Sequence, residues 1–571
     1  MLITEAVTGY KDFYKMPPPE DEFSLLRSYP TDLIIMELAK VNAILFQEMG
    51  SKNEVLAKIL SEVFPMLDEK RRRNVFREMG VSEKLEFLPN LFASPPISKL
   101  IGLCFDNYYY VSTDEVVNTY QFQQDLFDSI LIANQRYYNQ VKGEDDVNTY
   151  EIQWKLGLMQ QYYIRRFDYI SLTGQTKVLL FHKFIWHHFP EGQQLIKEFT
   201  DAMGSNGFFS PALVAMELVS KSLNNYQIDK KPKWSVVFSE SLKKMMEHFS
   251  LRPTEILEGK QSGHVHKNIM THPFYYLLNE YAVVLDYDYL AYIVEFSLTY
   301  NFYNFTSLNG SEKYKTFNSF KSMLGKSYYE DFITGEIIRK VFASKGYQVF
   351  DDRKEFFPDF TICHYDADMV LMEVKSAELN IEALENCDAI RVKDFLDVQF
   401  AGKKQGKERN KGIYQLIESI RQLAESNKLD SLLKSPDNKE KCTLYPTLIY
   451  TDHVFDITWI NGYLNNIFEE EIKPYKKYFK KIYPLTMINQ SILIDKYDLL
   501  KDDPKLLKSW IEQYWKRHQS NIQSFRKKRD PNQFLKAGTS FTFFLGDILP
   551  QRNGLEFFRR IADDLELKEV I

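Results

Sequence analysis

The stretch from Phe356 to Lys375, Phe-Phe-Pro-Asp-Phe-Thr-Ile-Cys-His-Tyr-Asp-Ala-Asp-Met-Val-Leu-Met-Glu-Val-Lys, most narrows what this chain can fold into. Two apolar runs, 356–363 and 369–375, flank a turn-like His364–Asp368. Their aromatic and β-branched residues suit strands. Both faces of each run are largely apolar, which marks strands covered on two sides. Yet Asp359, Glu373 and Lys375 bring charge into them. Side chains alternate across a strand, so Glu373 and Lys375 share a face and Val374 takes the other. A hairpin centred on Asp366, with a three- or five-residue loop, sets residue 359 across from residue 373. A two-residue loop at Asp366–Ala367 pairs Asp359 with Val374 instead and undoes the arrangement.

Two carboxylates side by side in an apolar sheet are costly unless something neutralises them. A divalent cation does so, and oxygen ligands suit Mg²⁺ or Mn²⁺. A lysine beside such an ion orients or deprotonates a water. The set fits metal-assisted phosphodiester hydrolysis. At these residues the chain resembles the PD-(D/E)XK nuclease superfamily, the restriction-endonuclease-like fold. Pro358-Asp359 matches the first half of its motif and Glu373-Val374-Lys375 the second. The resemblance implies a Mg²⁺- or Mn²⁺-dependent endonuclease, with Asp359 and Glu373 as metal ligands and Lys375 as the water-positioning residue. The plainer alternative is a structural hairpin with Asp359 in a turn.

A chain of 571 residues exceeds one ordinary core. The pattern divides it into an irregular segment 1–30, an α-helical domain 31–320 for sensing, gating or oligomerisation, a nuclease core 321–500 and a helical extension 501–571. The expected fold class is thus α plus α/β: a large helical domain followed by a restriction-endonuclease-like αβββαβ domain. Leu33, Ile34, Leu38, Val41 and Leu45 form a helical stripe after Pro30-Thr31-Asp32. Helix Tyr328–Ser344, strand Tyr347–Phe350, the hairpin, a polar insert Ala377–Asn410, helix Lys411–Glu425, strand Thr443–Tyr450 and strand Tyr483–Ile494 supply the αβββαβ order. The helical half resembles no family.

The net charge of −6 excludes a wholly basic nucleic-acid coat, so any such surface is local. Four scattered cysteines form no metal-type pair, and no signal peptide or apolar run long enough to span a membrane is evident. A cytoplasmic protein, with no membrane partner, is the expectation. His264, His266 and His272 lie close together without an acidic or cysteine partner and read as a surface loop. Lys70–Arg73 reads as a solvated helix face.

The superfamily resemblance also implies a glutamate from the first core helix. Glu330 shares the stripe Ile333, Ile337, Val341 that should face the sheet. Glu336, in Gly335-Glu336-Ile337-Ile338, resembles the start of the related NERD-type domains but falls on the polar face, beside Arg339 and Lys340. Helical phase favours Glu330. Gln415 resembles the helix glutamine of many such nucleases and looks into a cleft or into water. Lys403, Lys404, Lys407, Arg409 and Lys411, set against the single acid Glu408, form either a phosphate-contacting loop or a solvated one. The expected function is hydrolysis of phosphodiester bonds, in DNA rather than RNA, by a homo-oligomer acting in prokaryotic anti-phage defence or restriction. The alternatives are a non-catalytic nucleic-acid-binding or assembly protein on the same fold, and a helical interaction scaffold.

Overall fold

The computed structural model describes residues 7–47, 51–82, 91–109, 117–139, 150–159, 172–204, 234–237, 243–259, 265–278, 281–289, 298–342, 346–351, 358–364, 368–404, 407–408, 411–425, 439–549 and 554–570. The chain divides into two units. One comprises Ile3–Glu144 and Lys197–Phe302; the other comprises Met1–Leu2, Asp145–Ile196 and Tyr303–Ile571. The sequence pattern predicts one boundary near residue 320. The division instead falls at Phe302/Tyr303, and an excursion of the chain through 145–196 joins the C-terminal half.

In the N-terminal unit, the helix Thr31–Gln47 follows Pro30 and buries Ile34, Ile35, Leu38, Val41 and Ile44. Leu33 and Leu45, expected on that stripe, are half-buried. In the same unit Phe13, Phe64, Phe92 and Phe127 pack ring against ring. The expectation of a helical domain needs correcting. Strands β1 (Ser235–Val237), β2 (Ser250–Leu251), β3 (Phe274–Leu278) and β4 (Tyr281–Val284) form a sheet in the order β1-β4-β3-β2. These segments are too short to show a period, and their aromatic and β-branched residues suit a pleated surface. The basic run is committed internally: Arg71 pairs with Asp68 and Asp128, Arg73 with Glu69, and Arg72 donates to the Pro65 carbonyl. His264 and the side chain of His266 lie outside the described residues; His272 is bonded to the Thr271 hydroxyl.

The C-terminal unit is built on a mixed sheet in the order β11-β10-β7-β6-β5, with β12 also on β10. Its strands are β5 (Tyr347–Phe350), β6 (Phe360–His364), β7 (Asp368–Lys375), β10 (Thr443–Tyr450), β11 (Lys481–Ile482) and β12 (Thr486–Asn489); β8 (Lys403–Lys404) and β9 (Lys407–Glu408) pair apart from it. β5, β6 and β7 form an antiparallel meander, and β7, β10 and β12 run parallel. With the helices and hairpin of the insert set aside, the first core helix is followed by three strands, the helix Ile413–Glu425 and β10, and a further helix, Ile460–Ile472, precedes β11 and β12. Every residue of β10 is buried, which fits a strand covered on both faces. Pro446 lies inside it and has no N–H to give a ladder. Opposite Pro446 the neighbouring strand is broken: β11 ends at Ile482 and β12 begins at Thr486.

Three elements differ from their expected form. The first core helix runs from Phe317 to Phe342, and its middle, Leu324–Thr334, is π-helical. The polar insert is structured, with helices Ile381–Glu385 and Ala389–Phe395 and the β8–β9 hairpin. β12 stops at Asn489 rather than at 494, because the Asn489 side chain accepts from the Ser491 N–H and caps the helix Gln490–Asp495. The helix Leu172–His188, from the excursion, packs Phe181 and Phe184 on Tyr328 of the first core helix.

Candidate active site

The β6–β7 register pairs Phe360 with Met372, Thr361 with Leu371, Ile362 with Val370 and Cys363 with Met369. That register is centred on residue 366 and, continued by one step, sets Asp359 across from Glu373. Asp359 is buried just before β6, and its Oδ2 accepts the Val374 N–H at 2.8 Å. The carboxylate is thus tied to β7 by a charge-assisted hydrogen bond. Glu373 is 1% exposed, and its Oε1 forms an ion pair with the Lys375 Nζ. Lys375 keeps 22% of its side chain exposed, so the pair sits at a surface-accessible edge of the buried sheet. The ammonium group offsets a carboxylate that could not stand alone in so dry a place.

The first core helix crosses this end of the sheet. Gly325 meets the residue after Lys375: a Cβ at 325 would lie 2.8 Å from the Ser376 Oγ. Farther along, Gln490, the first residue of the helix after β12, donates to the Tyr329 carbonyl and the Thr334 hydroxyl, both at 2.7 Å. The π-helical segment therefore spans the C-terminal ends of the parallel strands, and the buried Glu330 lies between its two anchor points. Glu336 pairs with Arg339 at 3.3 Å, not with Lys340, and lines a cleft of about 310 Å³ together with Lys183, His187, Lys340 and Asp564. Asp331, which no sequence motif singles out, senses the site. Its carboxyl titrates above the ordinary aspartate range, chiefly through desolvation, opposed by Lys326 and reinforced by the negative charge of Asp359.

The helix Ile413–Glu425 links β7 to its parallel neighbour β10, so it runs back against the strands and begins at the Lys375 end. Gln415 lies half-buried in its first turn, and the exposed Lys411 stands just before it. The β8–β9 hairpin precedes both. Its strands pair Lys403 with Glu408 and Lys404 with Lys407; Arg409 lies outside the described residues. Gly412, at φ +59°, closes the base, where any Cβ would collide with the Phe400 carbonyl. Along the chain the basic hairpin and Gln415 fall between Lys375 and β10, within the crossover that joins β7 to its parallel neighbour.

A second polar cluster does not follow from the sequence motifs. Tyr450 donates to Asp456 at 2.6 Å; Asp456 is 3.2 Å from His453 Nδ1; His453 Nε2 is 3.2 Å from the Ser491 hydroxyl; Lys177 donates to that hydroxyl at 2.6 Å. The order acid, imidazole, hydroxyl imitates a nucleophile triad. Ser491 is 2% exposed and Asp456 fully buried, which leaves no approach for a substrate, and the cluster reads as a brace. The polar residues that end two neighbouring parallel strands, in Asp452-His453 and Asn489-Gln490-Ser491, are the available signal; Lys177 is too distant in sequence to be linked to them.

Among the described residues no group of three or more His, Cys, Asp or Glu side chains is arranged to hold a metal, nor is any helix long and apolar enough to cross a membrane. The site offers two carboxylates, a set that Mg²⁺ accepts when water fills its remaining positions. Comparison with protein-family models, curated proteins and solved structures finds no match.

Proposed function

We propose that the C-terminal unit is a divalent-metal-dependent nuclease of the restriction-endonuclease-like kind, hydrolysing phosphodiester bonds in DNA. The observation that carries this reading is the register that sets Asp359 across from Glu373, with Lys375 on the same strand face, at the end of an αβββαβ sheet. Asp359 and Glu373 would hold Mg²⁺ or Mn²⁺, which supplies Lewis acidity and an activated water. Lys375 is placed to orient the attacking water and to offset charge building on the phosphate. Lys403, Lys404, Lys407 and Lys411 supply backbone contacts that carry no sequence information. The resemblance to restriction enzymes extends the reading to anti-phage defence.

The test is incubation of purified protein with plasmid, linear and single-stranded DNA and with RNA, in Mg²⁺, Mn²⁺ or EDTA. Metal-dependent cleavage lost in Lys375→Ala is the expected result. Nucleic-acid binding without cleavage under any metal would favour a non-catalytic assembly protein on the same fold. Absence of binding would leave an interaction scaffold.

A further inference from the structure

The helix Leu506–Lys528 begins on the C-terminal sheet and ends clear of it. Three side chains show its course. Lys508 pairs with Asp368, the first residue of β7; Glu512 accepts from the Tyr445 hydroxyl, in β10, at 2.6 Å; Trp515 donates to the Thr486 hydroxyl, in β12, at 2.8 Å. Asp368 lies beside Thr443 and Thr486 beside Thr447, so each anchor is farther along the strands than the last. The helix therefore crosses from β7 to the border strand β12 while climbing towards the strand ends, where β7 finishes in Lys375. Trp515 is the last residue it buries. The turns beyond, about 20 Å of helix, are covered on one side by the helix Pro531–Ala537, through Phe525 on Phe534.

That outlying end carries four consecutive cations, Arg526, Lys527, Lys528 and Arg529, all exposed. Other arginines of the unit are committed: Arg421 to Glu418, Arg517 to Asp547, Arg560 to Asp502. Among the described residues no carboxylate pairs with any of the four. The adjoining acid, Asp530, is engaged in capping and accepts the Asn532 N–H at 3.0 Å. Arg529 sits at φ +54°, a helix-ending position usually given to glycine. A helix dipole favours a cation in the last turn, but one suffices, and four together repel. With Phe525 turned to Phe534, the helical step of about 100° sends Arg526, Lys527 and Lys528 to the three remaining sides.

We infer that the end of this helix is a phosphate-binding tip that enters a groove of duplex DNA and contacts the strands on either side. A helix with its side chains is about 10–12 Å across, and the major groove is about 12 Å wide. A helix that lies on a membrane sets its cations on one face and apolar residues on the other; here the charges fan round the tip and Phe525 is turned inward. The inference deepens the nuclease reading by naming a second place that grips its substrate.

The experiment measures binding of the full chain to a labelled DNA duplex in EDTA, across a salt titration, so that grip is read without cleavage. Reversal of all four cations to Glu raises Kd by about 10–100-fold and lowers the salt slope by about three units. Arg529→Gly suits the left-handed backbone and removes one cation. It lowers the slope by about one unit with no fall in Tm, and it decides the matter if the fourfold variant fails to fold. An unchanged Kd and slope in these variants, or tighter binding of the wild type to phosphatidylserine–phosphatidylcholine vesicles than to the duplex, overturns the inference. If the wild type nevertheless cuts DNA, the nuclease reading stands. Duplex binding that depends on the tip in a protein that cuts under no metal supports the tip and overturns the nuclease reading.

Discussion

Two polar clusters stand at the same end of the C-terminal sheet, and they differ in what they leave over. In one, Tyr450, Asp456, His453, Ser491 and Lys177 hand hydrogen bonds along a chain that water does not reach. In the other, Asp359 is tied to a backbone N–H and Glu373 to Lys375, and the lysine remains open to solvent. Their side-chain chemistry is similar; their access differs. A closed cluster converts buried polarity into rigidity, whereas a cluster open at one member can exchange its internal partner for water, a metal or a phosphate. Exposure of a single group, more than the identity of the residues, separates a brace from a candidate site.

That contrast can be tested, and the open cluster should respond most in activity. Lys375→Ala is expected to lower cleavage by about 10²–10⁴-fold while Mn²⁺ binding persists, whereas Asp359→Ala loses both. Isothermal titration with Mn²⁺ beside a plasmid-nicking assay measures the two effects separately; near-normal nicking by either variant would move the chemistry elsewhere in the chain. For the closed cluster the large effect should be on stability. Asp456→Ala leaves Tyr450, His453 and Asn489 without their shared acceptor and should cost about 3 kcal/mol or more in denaturant unfolding. A decrease below about 1 kcal/mol would mean the cluster is not the brace described.

Smaller effects are expected at the rim. Reversing Lys403, Lys404 and Lys407 to Glu should weaken DNA binding and flatten its dependence on salt, by about one unit of slope for each phosphate no longer engaged. An unchanged salt titration would make the hairpin a solvated linker. Smallest of all is Glu336→Gln, since the half-exposed Glu336–Arg339 pair is worth about 0–1 kcal/mol. A variant of Glu336 that stopped cleavage would show that the NERD-like resemblance is a better guide than helical phase.

The parts of the molecule legible in the sequence are those with a strong local period. The hairpin register follows from alternation and loop length, and β10 from its β-branched and aromatic residues Thr443, Tyr445, Thr447, Ile449 and Tyr450. The first core helix is evident, but its phase carries a hidden step: a π-helical turn shifts the side chains after it without altering composition. β12 reads too long because Ser-Ile-Leu-Ile suits a strand, while the capping side chain of Asn489 makes it a helix. The sheet of the N-terminal unit is hidden in strands of two to five residues. The joining of 145–196 to the C-terminal unit depends on packing between residues far apart in sequence, such as Phe184 on Tyr328, and no local pattern encodes that.

The break opposite Pro446 has a consequence for how such a protein avoids sticking to itself. A long, flat outer strand is a template on which another chain can zip. Here that border of the sheet is cut into a piece of two residues and a piece of four, and the outermost piece carries the exposed Lys481. Neither piece gives an incoming strand a continuous row of donors and acceptors. Proline in the neighbouring strand therefore guards against fibril growth along this border, an effect felt at high concentration rather than in the folded monomer.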